Sequence, residues 1–291
     1  MDYEIAIRLS CFAGIFTFIA LWEWAKPRRV LTTSKPKRWV SNLGIVILNS
    51  LITRIVIPVM PVILALMAEK NNWGLLNVMD MPYPIKVVIG VIVLDFVIYT
   101  QHVMFHALPL LWRLHMMHHA DLDYDLTTGL RFHPIEIIIS AGIKLAAVAV
   151  LGPPVLTVII FEILLNATAT FNHGNIYIPE SIDRVLRLFV VTPDMHRVHH
   201  SVIIRETNSN FGFNMPWWDR LFSTYRPQPV AGHEGMTIGL SQFRDEKRLT
   251  LPWMLALPFI GKIGEYSINR WGREPVIKKT ASVEKEKQLS E

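Results

Sequence analysis

The chain has 291 residues, of which 51% are hydrophobic and 18% charged, with nine tryptophans and a positive mean hydropathy of +0.32. This composition favours a membrane protein built as one helical domain. The net charge is +5, but the basic residues lie in short stretches beside apolar runs, which fits membrane topology and argues against nucleic-acid binding. The single Cys11 excludes a disulfide framework.

The first apolar run, residues 5–24, is long enough to cross a bilayer core of ~30 Å at ~1.5 Å per residue. Its acidic start, and the Trp22-Glu23-Trp24 at its end, favour a retained helix over a cleaved signal peptide. Six basic residues and no acid then fall between Lys26 and Arg38. The positive-inside rule therefore predicts that this loop is cytoplasmic and that the amino terminus lies outside.

The second apolar stretch, residues 43–68, contains Arg54 and two prolines. Because a charge near mid-membrane is costly, Arg54 is expected to face the bundle interior or a polar cavity, and the prolines are expected to kink the helix. Residues 69–84 are predicted to form a short outer loop. A third apolar helix, residues 85–99, then runs back toward the cytoplasmic side.

Residues 135–151 and 155–169 are two shorter apolar segments on either side of Gly152-Pro153-Pro154. They are predicted to form a hairpin that enters the membrane and returns. The polar residues 176–248 are predicted to form a cytoplasmic helical cap. Residues 251–263 are apolar but too short to span, which predicts an interfacial helix.

The predicted fold class is therefore all-α, a polytopic helical membrane protein with about three spanning helices plus the hairpin. A single membrane-embedded domain is expected over residues 1–272, with its histidine-bearing core at about 85–226. Residues 273–291 are predicted to be a charged, disordered tail.

Eight of the eleven histidines fall in three clusters. On a helix, residues three or four apart share a face, so each cluster directs imidazoles the same way. Buried without metal, they would leave polar groups unpaired at roughly 1–3 kcal/mol each, and eight imidazoles exceed what one ion can use. A binuclear metal site is therefore predicted, with ligands His102, His106, His115, His118, His119, His196, His199 and His200.

Three other features near these clusters remain open. Asp95 lies two helical turns before His102 and about 20° from it around the axis. It is predicted to hold a ligand imidazole by its other N–H, with an interfacial or helix-capping acid as the alternative. The acidic stretch Asp121–Asp125 could hydrogen-bond ligands or face water. His133, alone before a proline, is a weaker ligand candidate.

Taken together, the three clusters resemble the eight-histidine pattern of the membrane fatty acid hydroxylase and sterol desaturase superfamily. The flanking segments 118–131, 192–200 and 218–225 are similar to the alkylglycerol monooxygenase branch in particular. The resemblance implies a non-haem di-iron centre, activated by O2 and supplied with electrons by a separate reductase, ferredoxin, cytochrome b5 or pterin. Members carry a further histidine ligand between the second and third clusters, and His173 occupies that place.

The resemblance implies hydroxylation of a C–H bond in a membrane lipid, such as a sterol, a fatty acyl chain or an ether lipid. Side chains alone cannot supply the oxidant that this needs. The expected location is the cytoplasmic membrane of a bacterium, or the endoplasmic reticulum of a eukaryote, with the histidines facing the cytoplasm. Lipid desaturation would run on the same centre, and zinc could occupy the same ligands.

Two other classes are considered. A zinc-dependent membrane hydrolase would need a positioned general base, and the sequence contains no His-Glu-x-x-His to supply it. A non-catalytic metal-binding or transport protein would place its histidines along a pore and not together at one membrane face.

Overall fold

The computed structural model describes residues 2–268, so the tail predicted at 273–291 and the predicted domain boundary at 272 lie outside the described residues. Within that range the chain is helical, with two isolated β-bridges and no strand, which confirms the all-α prediction. The α-helices are α1 (Asp2–Ala25), α2 (Lys35–Val56), α3 (Pro61–Lys70), α4 (Leu75–Val78), α5 (Tyr83–Ala107), α6 (Pro109–His119), α7 (Pro134–Leu151), α8 (Val155–Asn172), α9 (Glu180–Leu186), α10 (Pro193–His199), α11 (Ile204–Thr207), α12 (Trp217–Leu221), α13 (Gly232–Gly235) and α14 (Leu251–Ile260).

Five segments of the described chain are long and apolar enough to cross a membrane. They are α1 from Ala6 onward, the stretch Lys35–Val78 that contains α2 to α4, and the three helices α5, α7 and α8. The spanning segments predicted from sequence all fall within these five. Together with the family match reported below, they make the chain an integral membrane protein.

The second apolar stretch is broken and not merely kinked. α2 ends at Val56 and α3 begins at Pro61, because a proline ring lacks the N–H that a continuous helix needs. Arg54 lies exposed in the last turn of α2, so the prediction that it faces the bundle interior is wrong. A basic side chain in a last turn complements the unpaired carbonyls there.

The predicted hairpin is present, formed by α7 and α8. α7 ends at Gly152, which adopts the left-handed conformation with φ of 56°. The loop before α4 packs against this tip so closely that a Cβ on Gly152 would clash with the Trp73 carbonyl oxygen. The 71–74 loop and the hairpin tip therefore share the end of the bundle that lies away from the histidines.

The largest apolar core cluster joins α3, α5, α7 and α8, and it holds the histidine-bearing helices in register. Between helices in a membrane, close van der Waals packing of such side chains stabilises the association. Its fully or nearly buried members include Ala65, Leu94, Val148, Val158 and Phe161. α14 packs against α6 and α2, where Met254 and Leu257 are buried.

Candidate metal centre

Two consecutive helices carry the first two histidine clusters. α5 continues past the apolar run through His102 and His106, which lie one turn apart. Pro109 then starts α6, where its missing N–H is not needed. α6 carries the second cluster into the same space.

The remaining histidines sit at two helix ends. His173 is the residue that ends α8, at the return of the hairpin. α10 carries His196 and His199 and ends at His200, and it starts where Thr192 Oγ1 accepts a hydrogen bond from the Met195 N–H at 3.4 Å. All nine predicted ligands are therefore delivered by helix segments held in the core.

The nine imidazoles form two adjacent groups, and within each group the candidate ligand atoms lie within 4.8 Å of one another. The consecutive pairs His118-His119 and His199-His200 each give one ring to either group, because neighbouring residues on a helix point about 100° apart. All nine are buried, with at most 6% of any residue exposed. The first group is His102, His106, His115, His119 and His199, and the second is His118, His173, His196 and His200.

In five of these rings, the Nδ1 atom forms a hydrogen bond to an oxygen atom, which fixes the orientation of the ring. The carbonyl oxygens of Phe211, Ser209 and Ala169 accept from His102, His199 and His173, each at 2.8 Å. Asn208 Oδ1 accepts from His106 at 3.0 Å, and Glu136 Oε1 accepts from His115 at 2.6 Å. Because a carbonyl oxygen can only accept, Nδ1 carries the proton and Nε2 is left with its lone pair.

These lone pairs face one another. His102 Nε2 and His115 Nε2 lie 3.2 Å apart, although both rings already donate through Nδ1. Two lone pairs at that distance repel unless a cation lies between them. Two imidazole nitrogens that each sit ~2.1 Å from a shared ion are separated by about 3.0–3.4 Å, so the observed separation fits a common metal ion.

The second group shows the same pattern. His173 Nε2 lies 3.3 Å from His118 Nε2 and 3.2 Å from His196 Nε2. Both ring nitrogens of His119 and of His200 are buried and have no hydrogen-bond partner in the described chain. Such unpaired buried nitrogens cost about 1–3 kcal/mol each, so the donor set fits metal ions in both groups.

The electrostatics keep the imidazoles in the ligand form. Burial lowers the pKa of His115 and of His173 to about 3. Burial, followed by the neighbouring imidazoles, lowers the pKa of His196, His199 and His200 well below the ordinary value. At neutral pH these rings are uncharged and can bind a metal.

Asp95 does not hold an imidazole in the described contacts. Its Oδ2 accepts a hydrogen bond from Trp218 Nε1 at 2.7 Å, since the indole of α12 fills the space beside it. The carboxylate that contacts a ligand ring is Glu136, in the first turn of α7 and 3% exposed. Glu136 was not predicted from the sequence, although an acid two residues after His133-Pro134 at the start of an apolar helix is the same kind of signal as Asp95.

The acidic stretch after the second cluster does not face water. Asp121 and Asp125 are completely buried and pair with Arg38 of α2 at 2.8 and 2.6 Å. Burial alone raises the pKa of Asp121, but the charges of Arg38 and Arg131 outweigh it, and the pKa is about 2. Arg38, one of the six basic residues used above to predict the membrane topology, is therefore a structural residue.

The two other histidines stand apart from the two groups. His133 caps α7, where its Nδ1 accepts from the Ile135 N–H and its Nε2 donates to the Leu255 carbonyl at 3.3 Å. His233 Nε2 lies 3.6 Å from Asp194 Oδ2. Since the nine other rings converge at one end of the bundle, the arrangement does not match histidines spread along a pore.

Comparisons with known proteins agree with the resemblance predicted from the sequence. The family model described as fatty acid hydroxylase matches residues 87–224. The chain is 30% identical over 159 residues to an ornithine lipid hydroxylase of Rhizobium tropici, across 54% of this chain and 47% of that protein. It is 28% identical over 154 residues to an alkylglycerol monooxygenase of Xenopus tropicalis, across 51% of this chain and 32% of that protein.

A methylsterol monooxygenase of Arabidopsis thaliana is 26% identical over 133 residues, across 46% of this chain and 49% of that protein. The matched part thus spans about a third to a half of the length of these three relatives. No solved structure is significantly similar to the chain. Residues 87–224, which carry all nine histidines, match the fatty acid hydroxylase family, and the predicted superfamily resemblance is confirmed.

Proposed function

We propose that the protein is an O2-dependent lipid hydroxylase that uses two iron ions bound by its nine buried histidines. The observation that carries the proposal is the pair of adjacent imidazole groups with Nε2 atoms facing inward. Three similar proteins are named as a hydroxylase or monooxygenase of ornithine lipid, alkylglycerol or methylsterol, and each of these names describes a lipid.

The first group of five histidines would hold one ion and the second group of four would hold the other. Two iron ions bound there would supply O2 activation and the strong oxidant that C–H cleavage requires. The chain itself orients the rings through their Nδ1 hydrogen bonds and keeps them neutral. Burial of all nine rings to 6% exposure or less excludes bulk water from the centre.

A lipid chain can be presented to this centre from the apolar core. Phe213 packs against the core cluster of α3, α5, α7 and α8, and its ring also lies 6.4 Å from those of His102 and His196. The Phe213 side chain thus contacts both the apolar core cluster of α3, α5, α7 and α8 and one histidine of each group. Sterol, fatty acyl and ether lipid substrates share the long apolar body that such a path fits, and electrons would come from a separate reductase, ferredoxin, cytochrome b5 or pterin.

The metal content tests the ligand assignment. We expect two metal ions per chain after iron loading, by elemental analysis, and we expect zinc to bind the same site. Alanine at His199 or His173 should lower the content and abolish activity. His233→Ala, which also removes a buried imidazole but not a candidate ligand, should leave both nearly intact. One ion per wild-type chain would contradict the binuclear assignment.

The origin of the product oxygen tests the reaction. Lipids of a deletion strain and of a complemented strain are compared under 18O2, and the product missing from the deletion strain should carry one 18O atom. Labelled water should contribute none. Label from water would mean metal-assisted hydrolysis, and a double bond without new oxygen would assign the desaturase reaction to the same histidines.

A further inference from the structure

Two segments of the predicted cap expose a group of large apolar side chains. We call this group the aromatic surface, and its members are between 42% and 68% exposed. An exposed apolar patch of this kind on a polar region marks an interaction surface. The members are Val185, Leu188, Phe189, Trp217, Leu221 and Phe222.

The two segments are fixed to each other. Trp217 Nε1 donates to the Leu188 carbonyl at 2.7 Å, and the Arg220 guanidinium donates to the Arg187 carbonyl at 3.1 Å. Both donors lie on α12 and both acceptors lie just after α9. The aromatic surface is therefore one continuous feature.

Contacts with α5 place this surface deep along the bundle. Trp218 Nε1 donates to Asp95, and the Phe222 ring stacks on those of Phe96 and Tyr99 at 5.9 and 5.7 Å. Asp95 is the middle residue of the 25-residue helix α5. At ~1.5 Å per residue it lies about 18 Å from either end, so where α5 crosses a hydrocarbon layer of ~30 Å from one face to the other, Asp95 lies at least about 10 Å below both surfaces.

A non-helical segment can lie at such a depth only if its backbone groups are paired within the protein. The buried Asp219 carboxylate pairs two of these backbone groups, since it accepts from the N–H groups of Phe211 and Gly212 at 2.8 and 2.7 Å. It also accepts from Thr224 Oγ1 at 2.6 Å. A Cβ at Gly212 would lie 2.7 Å from this carboxylate, so glycine is required there.

We propose that residues 211–225 form a re-entrant segment inside the bilayer, with the aromatic surface packed against lipid acyl chains. This part of the predicted cap then lies in the membrane and not above it. The opposite side of the same segment contacts the metal centre, because the Phe211 ring lies 5.1 Å from that of His106 and its carbonyl accepts from His102. If the proposed function holds, lipid reaches the centre sideways past this segment.

Thiol accessibility tests the proposal without requiring metal or activity. In a Cys11→Ser background, Leu221→Cys and Phe222→Cys are compared with Lys247→Cys, an exposed polar position of the cap. In lipid nanodiscs a charged maleimide should label the Leu221→Cys and Phe222→Cys variants at least about tenfold more slowly than the Lys247→Cys variant. The reason is that apolar surroundings suppress the reactive thiolate. Equal labelling of all three would overturn the proposal. Full labelling in SDS and unchanged helical circular dichroism confirm that each variant is folded and carries its thiol.

A nitroxide attached to the introduced thiol of the Leu221→Cys or Phe222→Cys variant identifies what covers the surface. Acyl chains admit O2 and exclude a water-soluble nickel complex, so fast relaxation by O2 and slow relaxation by nickel are expected. Slow relaxation by both would mean a second copy or another protein covers the surface, and fast relaxation by nickel would mean water does. Either result would contradict membrane insertion, while the test of the oxygenase reaction would stand separately.

Discussion

At the scale of single residues, the orientation of the candidate ligands depends on groups outside the histidine motifs. Three of the five fixed Nδ1 atoms donate to backbone carbonyls, whose positions follow from the fold. His106 donates to Asn208, whose own amide donates to the Tyr266 carbonyl at 2.7 Å and so cannot flip freely. His115 alone among the five donates to a carboxylate, that of Glu136, which increases the basicity of its Nε2.

We predict that Glu136→Leu lowers metal affinity by about 10–100-fold, because His115 loses the acceptor that fixes its ring. Glu136→Gln keeps an oxygen acceptor and should lower it less. The measurement is metal retention during dialysis against a graded chelator. Glu162→Gln is the matched control, since this buried acid of α8 pairs with Lys144 and touches none of the nine rings in its described contacts. Retention by Glu136→Leu equal to wild type would show that Glu136 does not orient a ligand.

At the scale of elements, ion pairs and close backbone contacts join segments that are far apart in the chain. Arg38 of α2 holds Asp121 and Asp125, more than eighty residues later, and Arg131 donates to the Met117 carbonyl in α6. These contacts fix α6, and with it the second histidine cluster, against α2. At the far end of the bundle, Gly74 and Gly152 bring two loops into backbone contact.

Asp121→Asn should reduce the free energy of unfolding by roughly 2–3 kcal/mol at pH 7, because two buried guanidinium groups lose a charged partner. The folded-state pKa of Asp121, about 2, lies below the unfolded value of about 3.9. The contribution of the Asp121 carboxylate to the free energy of unfolding is thus complete above pH ~4 and is lost as the pH falls toward 2. Thermal unfolding in detergent should show the two proteins converging at low pH. The exposed Asp80→Asn should match wild type throughout, and a pH-independent difference for Asp121→Asn would refute the ionic explanation.

Gly152→Ala should destabilise the hairpin by at least about 1–2 kcal/mol, because its left-handed conformation opposes a Cβ and the new methyl group would meet the Trp73 carbonyl. Gly142→Ala in the middle of α7 is the matched control. No atom lies within 4 Å of a Cβ built there, and alanine favours a helix interior by about 0.5–1 kcal/mol. Thermal unfolding should therefore rank the Gly142 variant at or above wild type and the Gly152 variant below it; the opposite order would contradict the described tip.

At the scale of the whole molecule, the histidines and the hairpin tip lie at opposite ends of the helical bundle. The nine rings gather where α5 ends, α7 begins and α8 ends, whereas the 71–74 loop contacts Gly152. One end of the protein therefore carries the candidate metal centre. The basic excess between Lys26 and Arg38 suggests that this end faces the cytoplasm, although Arg38 itself is buried in ion pairs.

We predict that alkaline phosphatase joined near Asn72 is active in a bacterial host, because this loop should be periplasmic. The same reporter joined after Arg131 should be inactive, and a cytoplasmic reporter such as green fluorescent protein should fluoresce there. Enzyme activity and fluorescence of the fusions are measured at equal expression. The reverse pattern would place the histidines outside and contradict the orientation.

Local patterns in the sequence were sufficient to predict the helical fold class, the apolar segments and the set of histidines that converge. These properties depend on local spacing: residues three or four apart share a helical face, and the length of an apolar run limits what it can span. The same local logic predicted the hairpin, because glycine followed by two prolines ends a helix. Local spacing did not predict the exposure of Arg54, because the surroundings of this residue depend on where α2 ends and on how α2 and α3 pack.

The division of the nine rings into two groups, and the choice of the carboxylate that contacts one of them, depend on tertiary packing. The relevant pairs, such as His118 with His173 and Trp218 with Asp95, are separated by 55 and 123 residues. Such contacts arise from the packing of whole helices, and helical periodicity carries no information about them. For the same reason, the burial of the acidic stretch and the depth of residues 211–225 followed from the partners they meet in the fold and not from their own polarity.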